Sequence, residues 1–288
     1  MIQLKTYLLT LVCTLFLFQA NAQFQLSKES EVSVLTIGPG LVLNDAFGHS
    51  AIRIKDPGQR IDLVFDYGRY DFQAEGFYLN FVKGKLDYEI GWANYESFIA
   101  NYKLQKRRVI SQIINFTLEE KQKLFEALLT NIKSQNKSYS YNFFYNNCAT
   151  KIKDALINAS NKRILFLPPE NFKSLTFRDL IRSNVPQNSW GGLGIDIALG
   201  SIIDRSASVE EHLFLPKYLY EILKVSKFNP KNIRLVVRSE VLNQIQKPKP
   251  GAFWWSPLII FALASIIIIG LTYSCLLYTS DAADELRS

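Results

Sequence analysis

A long uncharged run near the end of the chain constrains the fold more than any other feature. The stretch 253–274 contains no charged residue and supplies the about 20 apolar residues that a membrane-spanning helix needs. Trp254 and Trp255 stand where an aromatic belt at a membrane interface belongs. We therefore predict a transmembrane helix over 253–274, reached through a linker over 247–252, with a folded domain on one side of a membrane.

The two ends of the chain predict where this domain begins and stops. Residues 1–22 carry an early positive charge at Lys5, then a long apolar run that finishes in small residues at Ala22, which is typical of a secretory signal peptide. Residues 275–288 change abruptly in character and resemble a translated sequencing adapter, so we expect them to be an artefact. The extracytoplasmic domain is then predicted to occupy 23–246.

The charge of the chain bears on its partners. The formal net charge is +7, which in a secreted, membrane-tethered protein favours anionic lipid or cell-wall polymer. No basic run with interleaved aromatic residues indicates a nucleic-acid groove, so no nucleic-acid partner is expected. A basic surface that serves only solubility fits the composition equally well.

Cysteine usage isolates one residue. The chain has three cysteines, at positions 13, 148 and 275, of which the first lies in the predicted signal peptide and the last in the predicted artefact. Cys148 then has no intramolecular disulfide partner. A lone cysteine in an oxidising compartment is expected to be buried or used. With two histidines and no ligand-spaced cluster, neither a metal site nor a cofactor is predicted.

The apolar pattern predicts an α+β domain. Strand-like alternation occurs at 32–38, 50–55, 61–65, 86–92 and 108–115, with a late strand at 234–238. Thr117 and Glu120 form a capping box that opens a helix. Asn147 is a suitable N-cap for a second helix over 148–159, and residues 170–225 are predicted to be mainly helical.

The first predicted hairpin suggests a contact between a histidine and an aspartate. Matching the apolar faces of its strands pairs Ile54 with Ile61. That register places His49 opposite Asp66, on the face away from the isoleucines. A carboxylate beside an imidazole fixes its tautomer and raises its basicity, as a general base requires.

A thiol at a helix N-terminus complements that pair. The backbone N–H groups and the helix dipole stabilise a thiolate there. Cys148, His49 and Asp66 are therefore our candidate catalytic nucleophile, base and orienting residue. The same helix end, with the side-chain amide of Asn146 or Asn147, is a candidate for stabilising an oxyanion.

Each residue also has a structural interpretation. Cys148 could be a small core residue, His49 a capped surface histidine, and Asp66 a turn residue before a glycine. Asp71 could replace Asp66 as the orienting residue, although the hairpin register favours Asp66. His212 stands among helix-forming residues, so we expect it to be structural.

Four segments together resemble a known family. FGHSAIRIKD, FDYGRYDF, YNFFYNNCATKI and IDRSAS…FLPKYL, in this order across residues 30–225, resemble the N-terminal periplasmic domain of Lnb-type lipoprotein N-acyltransferases of Gram-negative bacteria. The order of histidine before cysteine is also similar to permuted papain-like enzymes such as the lecithin:retinol acyltransferase group. The likeness implies a permuted papain-like antiparallel sheet with a nucleophile-bearing helix, followed by a helical C-terminal extension and a transmembrane helix.

The resemblance implies a function as well. Such an enzyme moves a fatty acyl chain from a phospholipid donor to the N-terminal amine of a lipoprotein acceptor, without a cofactor, at the inner membrane with its main domain in the periplasm. Carried over by position, Cys148 would be the acyl-accepting nucleophile and His49 its base. The family has several membrane helices after this domain, whereas this sequence has one such stretch.

Two other functions remain open from the residues alone. A papain-like cysteine peptidase or amidase acting on peptidoglycan would use the same cysteine and histidine, but it would gain less from being held among lipids. A non-enzymatic envelope scaffold would carry Cys148 as a buried core residue.

Overall fold

The computed structural model describes residues 24–41, 43–70, 87–186, 188–244 and 255–285. The predicted signal peptide, the predicted linker and Asp71 lie outside these ranges. The strands are β1 (Glu31–Ile37), β2 (His49–Asp56), β3 (Ile61–Arg69), β4 (Asp87–Asn94), β5 (Val109–Ile114), β6 (Ser138–Ser140), β7 (Ile164–Leu165), β8 (Lys227–Phe228), β9 (Ile233–Arg234) and β10 (Val236–Asn243). The helices are α1 (Tyr95–Leu104), α2 (Leu118–Asn131), α3 (Cys148–Ala159), α4 (Phe177–Arg182), α5 (Trp190–Leu199), α6 (Val209–His212), α7 (Pro216–Val225) and α8 (Pro257–Glu285).

A large antiparallel sheet organises the domain. Its seven strands run in the order β10-β5-β1-β2-β3-β4-β6, and each neighbouring pair is antiparallel. β7, β8 and β9 form a small second sheet. The predicted α+β class is therefore confirmed. The predicted strands are present, except that the late one at 234–238 is divided between β9 and the start of the longer β10.

Helices cover both faces of the large sheet, because successive strand residues point to opposite sides. On one face Ile52, Ile54 and Phe65 pack against α2, α3 and α7 in the largest apolar core. On the other face Ala51 and Val64 pack against α1. The sequence analysis did not predict α1, whose apolar residues follow no strong helical stripe.

The predicted register of the first hairpin is wrong by two residues. Ile54 pairs with Leu63 rather than Ile61, because a four-residue connection at 57–60 lets Asp56 itself pair with Ile61. The Asp56 carboxylate accepts a hydrogen bond from the backbone N–H of Gln59 at 3.2 Å, which closes the turn. A shift of two residues leaves every side chain on its predicted face.

The predicted helix starts are confirmed. Thr117 and Glu120 cap α2 reciprocally through side chain and backbone, which satisfies N–H groups that the first helical turn leaves without intrahelical partners. Residues 170–225 are mainly helical, as predicted, and α4, α5 and α7 contribute to a second core built around side chains such as Phe177, Leu180 and Phe214.

The apolar C-terminal run forms α8. Pro257–Leu277 is long and apolar enough to cross a membrane, and it is the one helix with this property in the described part of the chain. Pro257 stands at the start of the helix, where its missing N–H costs no hydrogen bond. The first described turns of α8 contact α5, where the Trp190 indole N–H donates to the Trp255 carbonyl at 2.7 Å.

Candidate active site

Cys148 is the first residue of α3, and its local sequence builds the helix end that holds it. Asn147 is the N-cap, as predicted, and its side-chain oxygen accepts hydrogen bonds from the backbone N–H groups of Ala149 and Thr150, both at 2.9 Å. Thr150 completes a capping box by accepting from the Asn147 N–H at 2.8 Å. The thiol therefore projects from an ordered helix N-terminus, where the dipole favours negative charge.

The structure corrects the role expected of the Asn147 side chain. Its amide donates both hydrogens to backbone carbonyls, of Phe143 at 2.7 Å and of Phe214 at 2.8 Å. No amide hydrogen is left for an oxyanion, so Asn147 supports the site as a cap and as a tie between the loop and the helical core. The amide of Asn146 likewise donates to a backbone carbonyl, that of Ser140.

His49 and Asp66 meet at the same end of the sheet. The His49 Nε2 atom lies 3.2 Å from an Asp66 carboxylate oxygen, although Asp66 pairs across the strands with Ala51. The predicted contact is thus present as a diagonal one, and such neighbours are within reach of long side chains. Side-chain exposure is 18% for His49 and 9% for Asp66, so both lie largely out of water.

Cys148 joins this pair. The His49 imidazole, which contacts Asp66, lies near enough to the Cys148 thiol for the charge of each group to shift the pKa of the other. The three residues come from a strand start, the next strand and a helix start, which are separated in sequence and brought together by α3 packing across β2 and β3.

The ionisation of the histidine and the cysteine is coupled. Burial lowers the pKa of His49, but the charge of the Cys148 thiolate and the hydrogen bond to Asp66 raise that pKa well above its ordinary value. Burial raises the pKa of Cys148, but the charge of the His49 imidazolium, with hydrogen bonds from His49 and from backbone at Ser50 and Ala149, brings that pKa below its ordinary value. Both directions favour a thiolate beside an imidazolium.

Arg69 is a member of the site that the sequence analysis missed. Its Nε and Nη2 atoms lie 2.9 and 2.6 Å from the Asp66 oxygen that does not face His49. Burial raises the pKa of Asp66, but hydrogen bonds and charges from His49 and Arg69 lower it below its ordinary value. The carboxylate is therefore ionised and fixed from both sides. The sequence feature that could have predicted this contact is the spacing of Asp66 and Arg69 on either side of a glycine.

Two glycines make room for the catalytic candidates. Gly48 has φ of +78°, and a Cβ atom there would lie 2.5 Å from the Ile37 carbonyl oxygen. Gly68 has φ of +95°, and a Cβ atom there would lie 3.7 Å from the Cys148 Cβ. L-residues with side chains rarely adopt such positive φ values. Glycine at these positions therefore lets the chain bring His49 into β2 and bring β3 against Cys148.

Tyrosines form one wall of the site. The rings of Tyr88 and Tyr141 stack with centroids 4.1 Å apart, and Tyr70 lies 4.8 Å from Tyr88. Burial raises the pKa of Tyr88 to about 12, and burial together with the Cys148 charge raises the pKa of Tyr139 and Tyr141. These phenols stay neutral, so the wall is largely apolar.

His212 lies apart from this site. It is fully buried and its ring contacts the rings of Phe172 and Tyr218, which fits the structural role expected of it. Within the described ranges, no group of three or more histidine, cysteine, aspartate or glutamate residues could hold a metal ion.

Comparisons with known proteins agree with the resemblance seen in the sequence. Residues 18–182, more than half of the 288-residue chain, match the family model described as the Lnb N-terminal periplasmic domain. A search of curated proteins gave no match. Among solved structures, the chain is similar to the type VI secretion system effector TseH, at 16% identity and a TM-score of 0.33, over 49% of this chain and 82% of that chain.

Proposed function

Because the chain belongs to the family of Lnb N-terminal periplasmic domains, we propose that it is a membrane-anchored, cysteine-dependent acyltransferase. It moves a fatty acyl chain from a phospholipid to the N-terminal amine of a lipoprotein, on the periplasmic side of the inner membrane. The observation that carries the proposal is the hydrogen-bonded pair of His49 and Asp66 beside Cys148, the first residue of an N-capped helix, whose thiol pKa the His49 charge lowers. A histidine on a strand and a cysteine opening a helix also suit a permuted papain-like fold.

The first half-reaction acylates the cysteine. The Cys148 thiolate attacks the ester carbonyl carbon of the phospholipid, and a C–S bond forms as the carbonyl oxygen becomes an oxyanion. The oxyanion collapses, the ester C–O bond breaks, and the His49 imidazolium gives its proton to the departing lysophospholipid oxygen. Nε2 of His49 faces Asp66, so Nδ1 is the nitrogen that serves the reacting atoms.

The second half-reaction transfers the acyl group. The lipoprotein amine attacks the thioester carbonyl, and His49, now neutral, accepts the proton that the amine loses. A C–N bond forms, the C–S bond breaks, and the Cys148 thiolate returns beside an imidazolium. Asp66 remains ionised throughout and stabilises the imidazolium in each half-reaction.

The helix N-terminus is the source we propose for oxyanion stabilisation. The N–H of Cys148 belongs to the first turn of α3, which has no intrahelical acceptor, and a backbone N–H can stabilise the tetrahedral oxyanion. The largely apolar tyrosine wall suits an acyl chain better than a charged group, which supports a lipid donor.

The test is a reporter lipoprotein expressed in a strain that lacks its own N-acylating enzyme. The full chain should convert the reporter from the diacyl to the triacyl form, as read by mass spectrometry. Cys148→Ser and His49→Ala should each leave it diacylated. His212→Gln, which changes the histidine outside the site, serves as the matched control and should retain conversion.

A second readout examines the intermediate. Wild-type protein incubated with radiolabelled phospholipid should carry label that neutral hydroxylamine releases, as a thioester requires, and Cys148→Ser should carry none. N-acylation that persists without Cys148 would overturn the proposal. Release of peptides from purified peptidoglycan, without any acyl transfer, would favour the peptidase or amidase instead.

A further inference from the structure

Helix α5 presents an unusual surface for a domain that stands in water. Its sequence, WGGLGIDIAL, is almost entirely apolar; Ile195 and Leu199 pack half-buried against the second core, but no residue of the helix is fully buried. Ile197 is 72% exposed, and Ile202 in the following turn is 77% exposed. Monomeric soluble proteins seldom expose large residues in such a group, and exposed apolar patches mark interaction sites.

We call the exposed large apolar residues of α5 and of its neighbouring segments the apolar patch. Its members are Leu41, Leu43, Trp190, Ile197, Ile202 and Trp255. Trp190 and Ile197 are seven residues apart and therefore share a helix face. Leu43 lies against the start of α5, because a Cβ atom on Gly191 would come within 3.1 Å of its side chain.

Charged groups hold the other face of α5 to the domain. Asp196 lies 2.7 Å from an Arg178 nitrogen and 2.8 Å from an Arg182 nitrogen. These ion pairs fix the rotation of the helix about its axis. The apolar patch is thus turned outward by specific contacts.

The patch is continuous with the start of the candidate membrane span. The Trp190 indole donates to the Trp255 carbonyl at 2.7 Å, and its ring lies 5.9 Å from that of Phe261. The Asn188 side-chain oxygen accepts from the Leu258 N–H at 3.1 Å, so α5 starts at the level where α8 would enter the bilayer. Tryptophan is enriched at that level of membrane proteins.

The candidate active site lies at the same end of the sheet. A row of paired residues runs across four strands from Asn243 through Val109 and Ile37 to His49. β10 ends in this row, and the chain leaves it towards α8. Leu43 is six residues before His49, so the two lie within roughly 20 Å even along an extended chain.

We propose that the apolar patch docks into the outer interface of the bilayer beside α8, so that the entrance to the Cys148 site faces the lipid headgroups. The occupant is the membrane itself, because Trp190 of the patch contacts the start of the candidate span directly. The docking depends on the membrane anchorage proposed above but not on acyl transfer. It would hold the site where a phospholipid ester can reach it without leaving the bilayer.

The test places fluorescent probes on the full chain in vesicles of phosphatidylethanolamine and phosphatidylglycerol. Cys13→Ser, Cys148→Ser and Cys275→Ser remove the three native thiols, and Ile197→Cys or Ile202→Cys then carries the probe. Val237→Cys is the matched control, since Val237 is 64% exposed and lies at the start of β10, the opposite end of the sheet. Nitroxide lipids should quench the probes at 197 and 202 about fivefold more strongly than the probe at 237, as insertion into the interface requires.

Equal quenching at the three positions would overturn the proposal. So would a probe at 197 that is shielded from the nitroxide lipids at high protein density and becomes quenched only on dilution in excess lipid, because the patch would then face a second copy of the chain. The probe measurement uses a variant without Cys148, so it can succeed even if the acyltransferase proposal fails.

An activity measurement provides the functional arm. The double change Ile197→Asp and Ile202→Asp should slow acyl transfer from vesicle phospholipid about tenfold, because charged side chains resist insertion, and should leave transfer from a soluble short-chain ester unchanged. Val237→Asp should affect neither. Equal loss with both donors would contradict docking, and absence of transfer in the wild type would count only against the proposed function.

Discussion

The two histidines of the described domain occupy opposite kinds of environment. His49 lies between the ionised carboxylate of Asp66 and the thiol of Cys148. The charge of the cysteine shifts the pKa of the histidine. His212 is fully buried, and its Nδ1 atom lies 2.7 Å from the Ser208 carbonyl oxygen. The first histidine has partners that change protonation state, whereas the second has partners that do not.

The difference shows what makes a histidine chemically useful. With Nδ1–H donating to the Ser208 carbonyl, the Nε2 atom of His212 is the acceptor for the Leu175 N–H at 3.5 Å. Nδ1 thus bonds to the N-cap residue of its own helix, and Nε2 links α6 to the loop before α4. At His49 the Nε2 atom faces Asp66, and the nearby Cys148 thiol is itself ionisable.

The largest expected effect tests whether the two histidines differ in their contribution to catalysis. His49→Gln should slow acylation of Cys148 by roughly 10³-fold, because it removes both the charge that favours the thiolate and the proton donor. His212→Gln should change this rate by no more than about threefold. Single-turnover acylation with a chromogenic fatty-acid ester measures both rates. Similar losses in the two variants would show that His49 acts only through the fold.

A smaller effect tests the residues that hold His49. Asp66→Asn keeps the shape but removes the negative charge that stabilises the imidazolium, so acylation should slow by about 10²-fold. Arg69→Gln leaves that charge in place and should cost about tenfold, through looser positioning of the carboxylate. The same ester assay ranks the two variants. A larger loss from Arg69→Gln than from Asp66→Asn would indicate that the arginine contacts substrate.

The pH dependence of thiol reactivity sharpens the comparison further. Because the imidazolium holds the pKa of Cys148 below its ordinary value, alkylation by iodoacetamide should reach its plateau at a lower pH than for a free cysteine. In His49→Gln only burial and the backbone contacts remain, so the rise should move to higher pH. The profile of His212→Gln should overlie that of the wild type. A wild-type profile like that of free cysteine would contradict the thiolate–imidazolium pair.

The sequence analysis predicted which candidate residues lie around His49 better than it predicted how they are arranged. The alternation of apolar residues predicted that His49 and Asp66 lie on the same face of the sheet. A register shift of two residues leaves both on that face. The strand register depends on how the turn closes, which the alternation of apolar residues does not encode. That closure sets the tight turn at 57–60 and the pairing of Asp66 with Ala51. The capping motif before Cys148 is local, and it was predicted together with the helix.

Contacts that form between distant segments escaped prediction. The Asn147 amide donates a hydrogen bond to the Phe214 carbonyl, 67 residues away in the sequence. No local sequence pattern predicts such a partner. The apolar patch was missed for a similar reason. Apolar residues in WGGLGIDIAL indicate a core helix as readily as an exposed one, and only the surrounding fold distinguishes them.

The smallest expected effect concerns stability, for which substitution of His212 should matter more than substitution of His49. His212→Leu removes the acceptor of the Leu175 N–H and one of the two donors to the Ser208 carbonyl, which should lower the free energy of unfolding by about 1 kcal/mol and the melting temperature by roughly 2–4 °C. His49→Leu removes a charged pair whose burial is itself costly, and Arg69 still pairs with Asp66, so its melting temperature should change less. Thermal melting of the full chain in detergent, followed by tryptophan fluorescence, measures both. A greater loss of stability at His49 than at His212 would mean that the reactive pair is also the stronger structural tie, and the distinction between the two histidines would fail.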